Sequence, residues 1–70
     1  MNEKKYLDAK TELRLFLVGE VGRYINRAGS TEKLSLLLGR SLTYVRVILD
    51  REPTLERLEL LWKECKEKIK

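Results

Sequence analysis

The stretch Thr31–Ile48, TEKLSLLLGRSLTYVRVI, decides how this chain folds. It reads as two short helices joined by a tight turn at Gly39. Before the turn, Leu34, Ser35 and Leu38 share one helical face. After it, Leu42, Val45, Ile48 and Leu49 recur at spacings of three and four. Gly39 follows the last apolar residue of the first helix, where a chain leaving a helix often needs positive φ. Ser41 stands where an N-cap is wanted, so its oxygen is expected to accept from an early amide of the next helix. Ser35 is small and lies one turn before the glycine, which lets the two helices cross closely. These features together make a helix-turn-helix.

Working outward, Gly29 stops the preceding helix, and Ser30 or Thr31 caps the first motif helix, about residues 31–38. Leu36 and Leu37 add to Leu34 and Leu38, and four leucines on two turns cannot all enter one small core. The second motif helix is expected from about Leu42 to Asp50 or Arg51.

Upstream, residues from about Lys4 to Ala28 read as one long helix. Tyr6, Leu13, Phe16, Leu17, Val21, Tyr24 and Ala28 form a stripe at helical spacing. Leu15, Val18 and Ile25 form a second apolar edge, so the middle of this helix needs cover on two sides, from the rest of the chain or from another copy. Gly19 and Gly22 cost roughly 1 kcal/mol each against alanine. Close packing is the preferred reading of them; a bend or break near residue 20 is the other.

Downstream, Pro53 suits a first helical turn and Thr54 can cap. The last helix, about residues 54–68, carries Leu55, Leu58, Trp62, Cys65 and Ile69 at alternating spacings of three and four, and Leu61 widens the stripe. Glu59 with Lys63, and Glu64 with Lys68, are acid-before-base pairs four apart. The stripe suits core packing, with a short dimer coil as the alternative. The fold class expected is therefore all-α: a small single-domain bundle of four helices, or five if the first one breaks. Its parts are 1–28, 31–51 and 54–69.

Composition agrees with one small globular domain. The 70 residues are 43% hydrophobic and 37% charged, which argues against disorder. Fifteen lysines and arginines against eleven acids leave a net charge of +4. Its distribution says more than its size. From Lys33 to Leu49 there is no acid, while Lys33, Arg40 and Arg46 are basic, as a surface facing phosphate requires. With one cysteine, Cys65, and no histidine, an internal disulfide and cysteine–histidine zinc sites are excluded. The run LFLV is too short for a membrane span or a signal-peptide core. A cytoplasmic protein is expected, without metal or cofactor. Catalysis is not expected either: there is no histidine and no phosphate-cradling glycine loop, and Glu56 and Glu59 fall on a salt-bridged exposed face.

From about Arg23 to Cys65 the chain resembles the lambda-repressor-like helix-turn-helix domains of the Cro and C1 type. The resemblance lies in Leu34-Ser35, Gly39, Ser41, Val45, and Pro53 leading into the leucine-rich LERLELLWK. Ser35 stands where the family usually has alanine, Thr31 where it often has glutamine, and Leu42 where it usually has a polar base-reading residue. The long first helix is extra. The resemblance implies a second motif helix whose first turns meet base edges in the major groove. That presents Leu42, Thr43, Arg46 and Val47, with Ser41 at the entry. Arg46 is expected to pair with guanine or grip a phosphate, Thr43 to bond a base or touch a thymine methyl, and Leu42 to touch only a methyl. Tyr44 suits a phosphate through its hydroxyl, Thr31 and Lys33 suit one at the preceding helix start, and Arg40 suits the backbone from the turn.

Each has a plainer reading. Arg40 and Arg46 can be solvated charges, Tyr44 a packed ring, Leu42 core or a protein contact. Thr31 and Ser41 are caps first, and Trp62 and Cys65 are core. The expected function is a small bacterial or phage-type transcriptional regulator that binds duplex DNA as a homodimer. Leu15, Val18, Leu36, Leu37, Leu58, Trp62 and Ile69 are the candidates for its dimer or partner interface. The alternative is a protein-interaction module on the same scaffold, binding another regulator or a polymerase subunit. Leu36, Leu37, Leu42 and Val47 favour it.

Overall fold

The computed structural model describes the backbone of residues 2–69 and the side chains of residues 9–69. Four helices follow in order: α1 (Asn2–Ala28), α2 (Thr31–Leu37), α3 (Tyr44–Asp50) and α4 (Leu55–Lys68). There is no strand among the described residues. The chain is the small all-α bundle that its periodicity called for. The side chain of Tyr6, assigned to the first stripe, lies outside the described residues.

The core is built where the stripes converge. Val21 of α1, Leu34 and Leu38 at the end of α2, Val45 and Ile48 of α3, and Leu61 and Cys65 of α4 pack together and are buried. Leu17 and Leu58 are buried as well. Tyr24, Ile25, Ala28, Leu49, Trp62 and Ile69 pack against the cluster from its margin. Truncating a fully enclosed side chain such as Leu34 removes about 2–5 kcal/mol, through lost transfer energy and the cavity left behind. Burial pushes the Cys65 thiol up to about 11, with the Glu64 carboxylate adding to the shift. Cys65 is thus an inert packing group.

Helix α1 is single and runs through Gly19 and Gly22 without a break. Its 27 residues at about 1.5 Å rise span the long axis of the molecule, 43 × 24 × 17 Å. The radius of gyration, 13.1 Å, exceeds the roughly 11 Å of a compact chain this long, because the first half of α1 overhangs the bundle. Residues 9–16 are all exposed, and burial begins at Leu17. Leu13 and Phe16, placed in the inner stripe from spacing, therefore lie outside. Phe16 instead meets the rim of Trp62 edge-on, at 5.8 Å between ring centres. Arg14 Nη1 also ties the overhang to the bundle, donating to the Pro53 carbonyl at 2.6 Å.

The glycines of α1 do not serve close packing within the chain. A Cβ added at Gly19 or Gly22 meets no atom within 4 Å.

Gly39 does what its position requires. It has φ +73°, its N–H donates to Leu36 O, and the N–H of Arg40 donates to Ser35 O, both at 3.0 Å. This is the paired closure of a Schellman motif, which satisfies carbonyls left open at a helix end. Gly29, at φ +110°, ends α1. Ser30, rather than Thr31, then caps α2 by accepting from Lys33 N. Thr54 caps α4 by accepting from Arg57 N.

The start of α3 differs from the sequence expectation. Helical structure begins at Tyr44, two residues later than expected; Leu42 and Thr43 belong to the turn. Ser41 is not its N-cap. Thr43 holds that position without a side-chain bond, and Ser41 contributes only its carbonyl, which accepts from Tyr44 N. The capping oxygen comes from α2 instead. Ser35 Oγ accepts from Val45 N at 3.0 Å while its own hydroxyl donates to Thr31 O at 2.8 Å. A neighbouring helix thus fills the role a local residue usually fills.

The end of α3 carries strain. Glu52 has φ +48°, a conformation that costs a residue with a Cβ roughly 1–2 kcal/mol, and proline follows at once.

Two outcomes follow for stability. Ser35→Ala leaves the Val45 N–H buried without a partner. We expect a loss of about 1–3 kcal/mol in urea unfolding, with helical content retained in the folded baseline. Gly19→Ala is expected to gain about 0.5–1 kcal/mol. A lower thermal midpoint for Gly19→Ala would mean that something outside the chain fills that space.

Candidate nucleic-acid interface

The basic residues of the acid-free window are exposed at the start of α2, in the turn after it and on α3, where Glu64 and Asp50 lie against Arg40 and Arg46. Thr43, Arg46 and Val47 are exposed, as are Arg40, Ser41 and Leu42 in the turn. Their positions follow from the core. With Val45 and Ile48 buried, Arg46 and Val47 are turned outward. Lys33 is exposed at the start of α2, with its side chain folded back over Gly29. Thr31 is half-buried beside it.

Arg46, Arg40 and the neighbouring Tyr44 already have partners within the chain. Arg46 Nε lies 3.7 Å from the Asp50 carboxylate one turn on, an exposed pair of little energetic weight. Arg40 Nε donates to Glu64 Oε1 at 2.8 Å, and its guanidinium lies 5.0 Å from the centre of the Tyr44 ring. The Tyr44 hydroxyl donates to Glu64 Oε2 at 3.1 Å. The hydroxyl expected to meet a phosphate is therefore committed to α4.

Sequence reasoning assigned Glu64 only a helix-surface pair with Lys68, and that pair is present at 3.8 Å. It missed the larger role. Arg57, Leu61, Glu64 and Lys68 recur at spacings of four, three and four, so they share one face of α4. Leu61 of that face is in the core. Glu64 takes Arg40 and Tyr44, Lys68 Nζ donates to Leu38 O at 2.6 Å, and the charge of Arg57 is felt at Tyr44. The spacing from Leu61 was the available signal.

The electrostatics follow from this packing. Burial alone raises the pKa of the Glu64 carboxyl. Hydrogen bonds from Arg40 and Tyr44, with the charges of Arg40 and Lys68, more than offset that and leave it below the ordinary carboxylate value. Burial, then the hydrogen bond to Glu64, raises the Tyr44 phenol above its usual value.

The expected partner interface is only partly on the surface. Leu15, Leu36 and Leu37 are 66%, 59% and 57% exposed, and Val18 is exposed too. Leu58 is fully buried, so it belongs to the core and not to an interface. Trp62 and Ile69 are half-buried against the core, and Lys66 Nζ covers the Trp62 ring at 4.3 Å. Leu60, unremarked in the sequence, is exposed. Among the described residues no cluster of potential metal ligands occurs and no helix is long and apolar enough to cross a membrane.

No protein-family model, curated protein or solved structure matches the chain.

A pH dependence follows from Glu64. Its folded pKa is lowered, so its contribution to stability is complete above the unfolded carboxylate value of about 4.3 and is lost as pH falls through the folded value. We expect Glu64→Gln to be less stable than the parent at neutral pH. The two should converge in urea unfolding as the pH is lowered below about 4.

Proposed function

We propose that this protein is a small regulator that binds duplex DNA, as a homodimer, with α3 entering the major groove. The reading is carried by one observation: α3 presents Arg46 and Val47 to solvent, next to the exposed Thr43 of the turn, within a stretch of chain, residues 33–49, that contains no acid. In a groove-reading role Arg46 supplies paired donors to guanine or to a phosphate. Thr43 meets a base edge or a thymine methyl. Lys33 and the outer edge of Arg40 supply backbone contacts that set register. Tyr44 buttresses Arg40 and has no direct part.

A unit this small covers one half-site, so a second copy supplies affinity and spacing. The exposed Leu15 and Val18 of α1, and Leu36 and Leu37 of α2, are the surfaces available for it. On this reading the protein is a bacterial or phage-type regulator working in the cytoplasm.

A second reading has its own support. Leu36, Leu37, Leu42 and Val47 are all exposed, and exposed leucines suit a protein partner better than a DNA groove. Under that reading the scaffold binds another regulator or a polymerase subunit.

Titrating a labelled duplex at several salt concentrations separates the two. With Lys33, Arg40 and Arg46 as the phosphate-facing cations, we expect a log–log slope of roughly −3 per subunit, reduced by about 1 in Arg46→Ala. Light scattering on the free protein should give twice the chain mass. Absence of duplex binding at low salt would sink the DNA reading and leave the protein-partner reading standing.

A further inference from the structure

The Glu64 carboxylate brings together two groups from the turn and α3 that are far from it in sequence. Its side chain is only 14% exposed, while that of Arg40 is 50% exposed. One carboxylate oxygen accepts from Arg40 Nε at 2.8 Å. The other accepts from the Tyr44 hydroxyl at 3.1 Å, and the Tyr44 ring lies beneath the guanidinium at 5.0 Å. Nε therefore faces inward. The terminal amino groups of Arg40 make no hydrogen bond with any described residue.

An arginine on an exposed turn ordinarily samples many rotamers, and ordering it on a ligand carries a large entropic cost. Here the ordering is done in advance, by a carboxylate at one edge of the fork and an aromatic face below it. The remaining edge is planar and carries parallel donors of the kind that engage two oxygens of one anion at once.

We propose that Glu64 is a positioning residue that holds Arg40 over Tyr44, so that the terminal amino groups of Arg40 meet a backbone phosphate of duplex DNA. This rests on the DNA-binding reading above and adds to it the residue that acts through the turn. Lys68 reinforces the arrangement. It caps the end of α2 at Leu38 O and lies 3.8 Å from the same carboxylate, so α4 pins the turn from both sides.

A carboxylate so close to the site also repels DNA directly. Repulsion alone makes removal of the carboxylate tighten binding in either background, so a loss of binding seen only when Arg40 is present marks positioning in a double-mutant cycle. The probe is a fluorescein-labelled duplex of mixed sequence, read by anisotropy with the full chain and its variants, Glu64→Ala, Arg40→Ala and the double variant. We expect Glu64→Ala to weaken binding by about five-fold, roughly 1 kcal/mol at 1.4 kcal/mol per ten-fold, when Arg40 is present. In the Arg40→Ala background the same change should leave binding equal or tighter. Glu64→Gln keeps an acceptor for Nε and should recover part of the loss. It also carries the cycle if circular dichroism shows that Glu64→Ala does not fold.

Equal effects of the Glu64 change in both backgrounds would overturn the proposal, and so would tighter binding when Arg40 is present. Both outcomes leave the DNA-binding reading intact. A parent protein that fails to bind the duplex at low salt overturns that reading and this one together.

Discussion

The hydroxyl of Ser35 joins two helices whose other contact is apolar packing and the turn between them. It donates to the carbonyl of Thr31 within α2 and accepts from the amide of Val45 in α3. Both helices have seven residues, too few to be stable alone. Each depends on its neighbour and on Leu34, Leu38, Val45 and Ile48 in the common core. An alanine at position 35 would fill much the same space but satisfy neither bond. A buried amide without a partner carries a large penalty, so the serine fixes where α3 starts. That starting point decides which residues of α3 face outward.

A second constraint comes from α4. Leu61, Glu64 and Lys68 lie on one helical face and meet three different parts of the motif: its core, the turn side chains and the end of α2. A helix that is remote in sequence therefore sets the geometry of the turn. The charge pattern follows. Arg40 is basic in the sequence, but in the folded chain its inner edge is neutralised and its outer edge directed. Tyr44 is not a free donor at all. The basic character of the surface rests more on Arg46 and Lys33 than a count of charges implies.

Helix α1 is the part of the chain the bundle explains least. Half of it overhangs, and Leu13, Leu15, Phe16 and Val18 remain exposed. Gly19 and Gly22 weaken it with no packing return inside the chain. These features sit outside the economy of a monomeric fold, which is why a second copy enters the functional reading.

The sequence by itself determined the helices, the stop at Gly39, the cap at Thr54 and most of the core. These depend on local φ preference and on apolar spacing, both of which are written in neighbouring residues. It also showed the acid-free stretch from Lys33 to Leu49, but not that Glu64 and Asp50 lie against its arginines. What only the tertiary structure decided is which polar groups find each other. Ser41 looked like the cap because it is adjacent, yet the bond to α3 comes from Ser35, ten residues before Val45. Leu58 and Leu15 belong to equally regular stripes, but one is enclosed and the other is not, because burial depends on where a second helix lies. Left-handed Glu52 carried no glycine to announce it. Glu64 read as a surface pair and proved to be the acceptor for Arg40 and Tyr44. Spacing along a chain reveals which residues share a face of one helix; it does not reveal what stands across from that face.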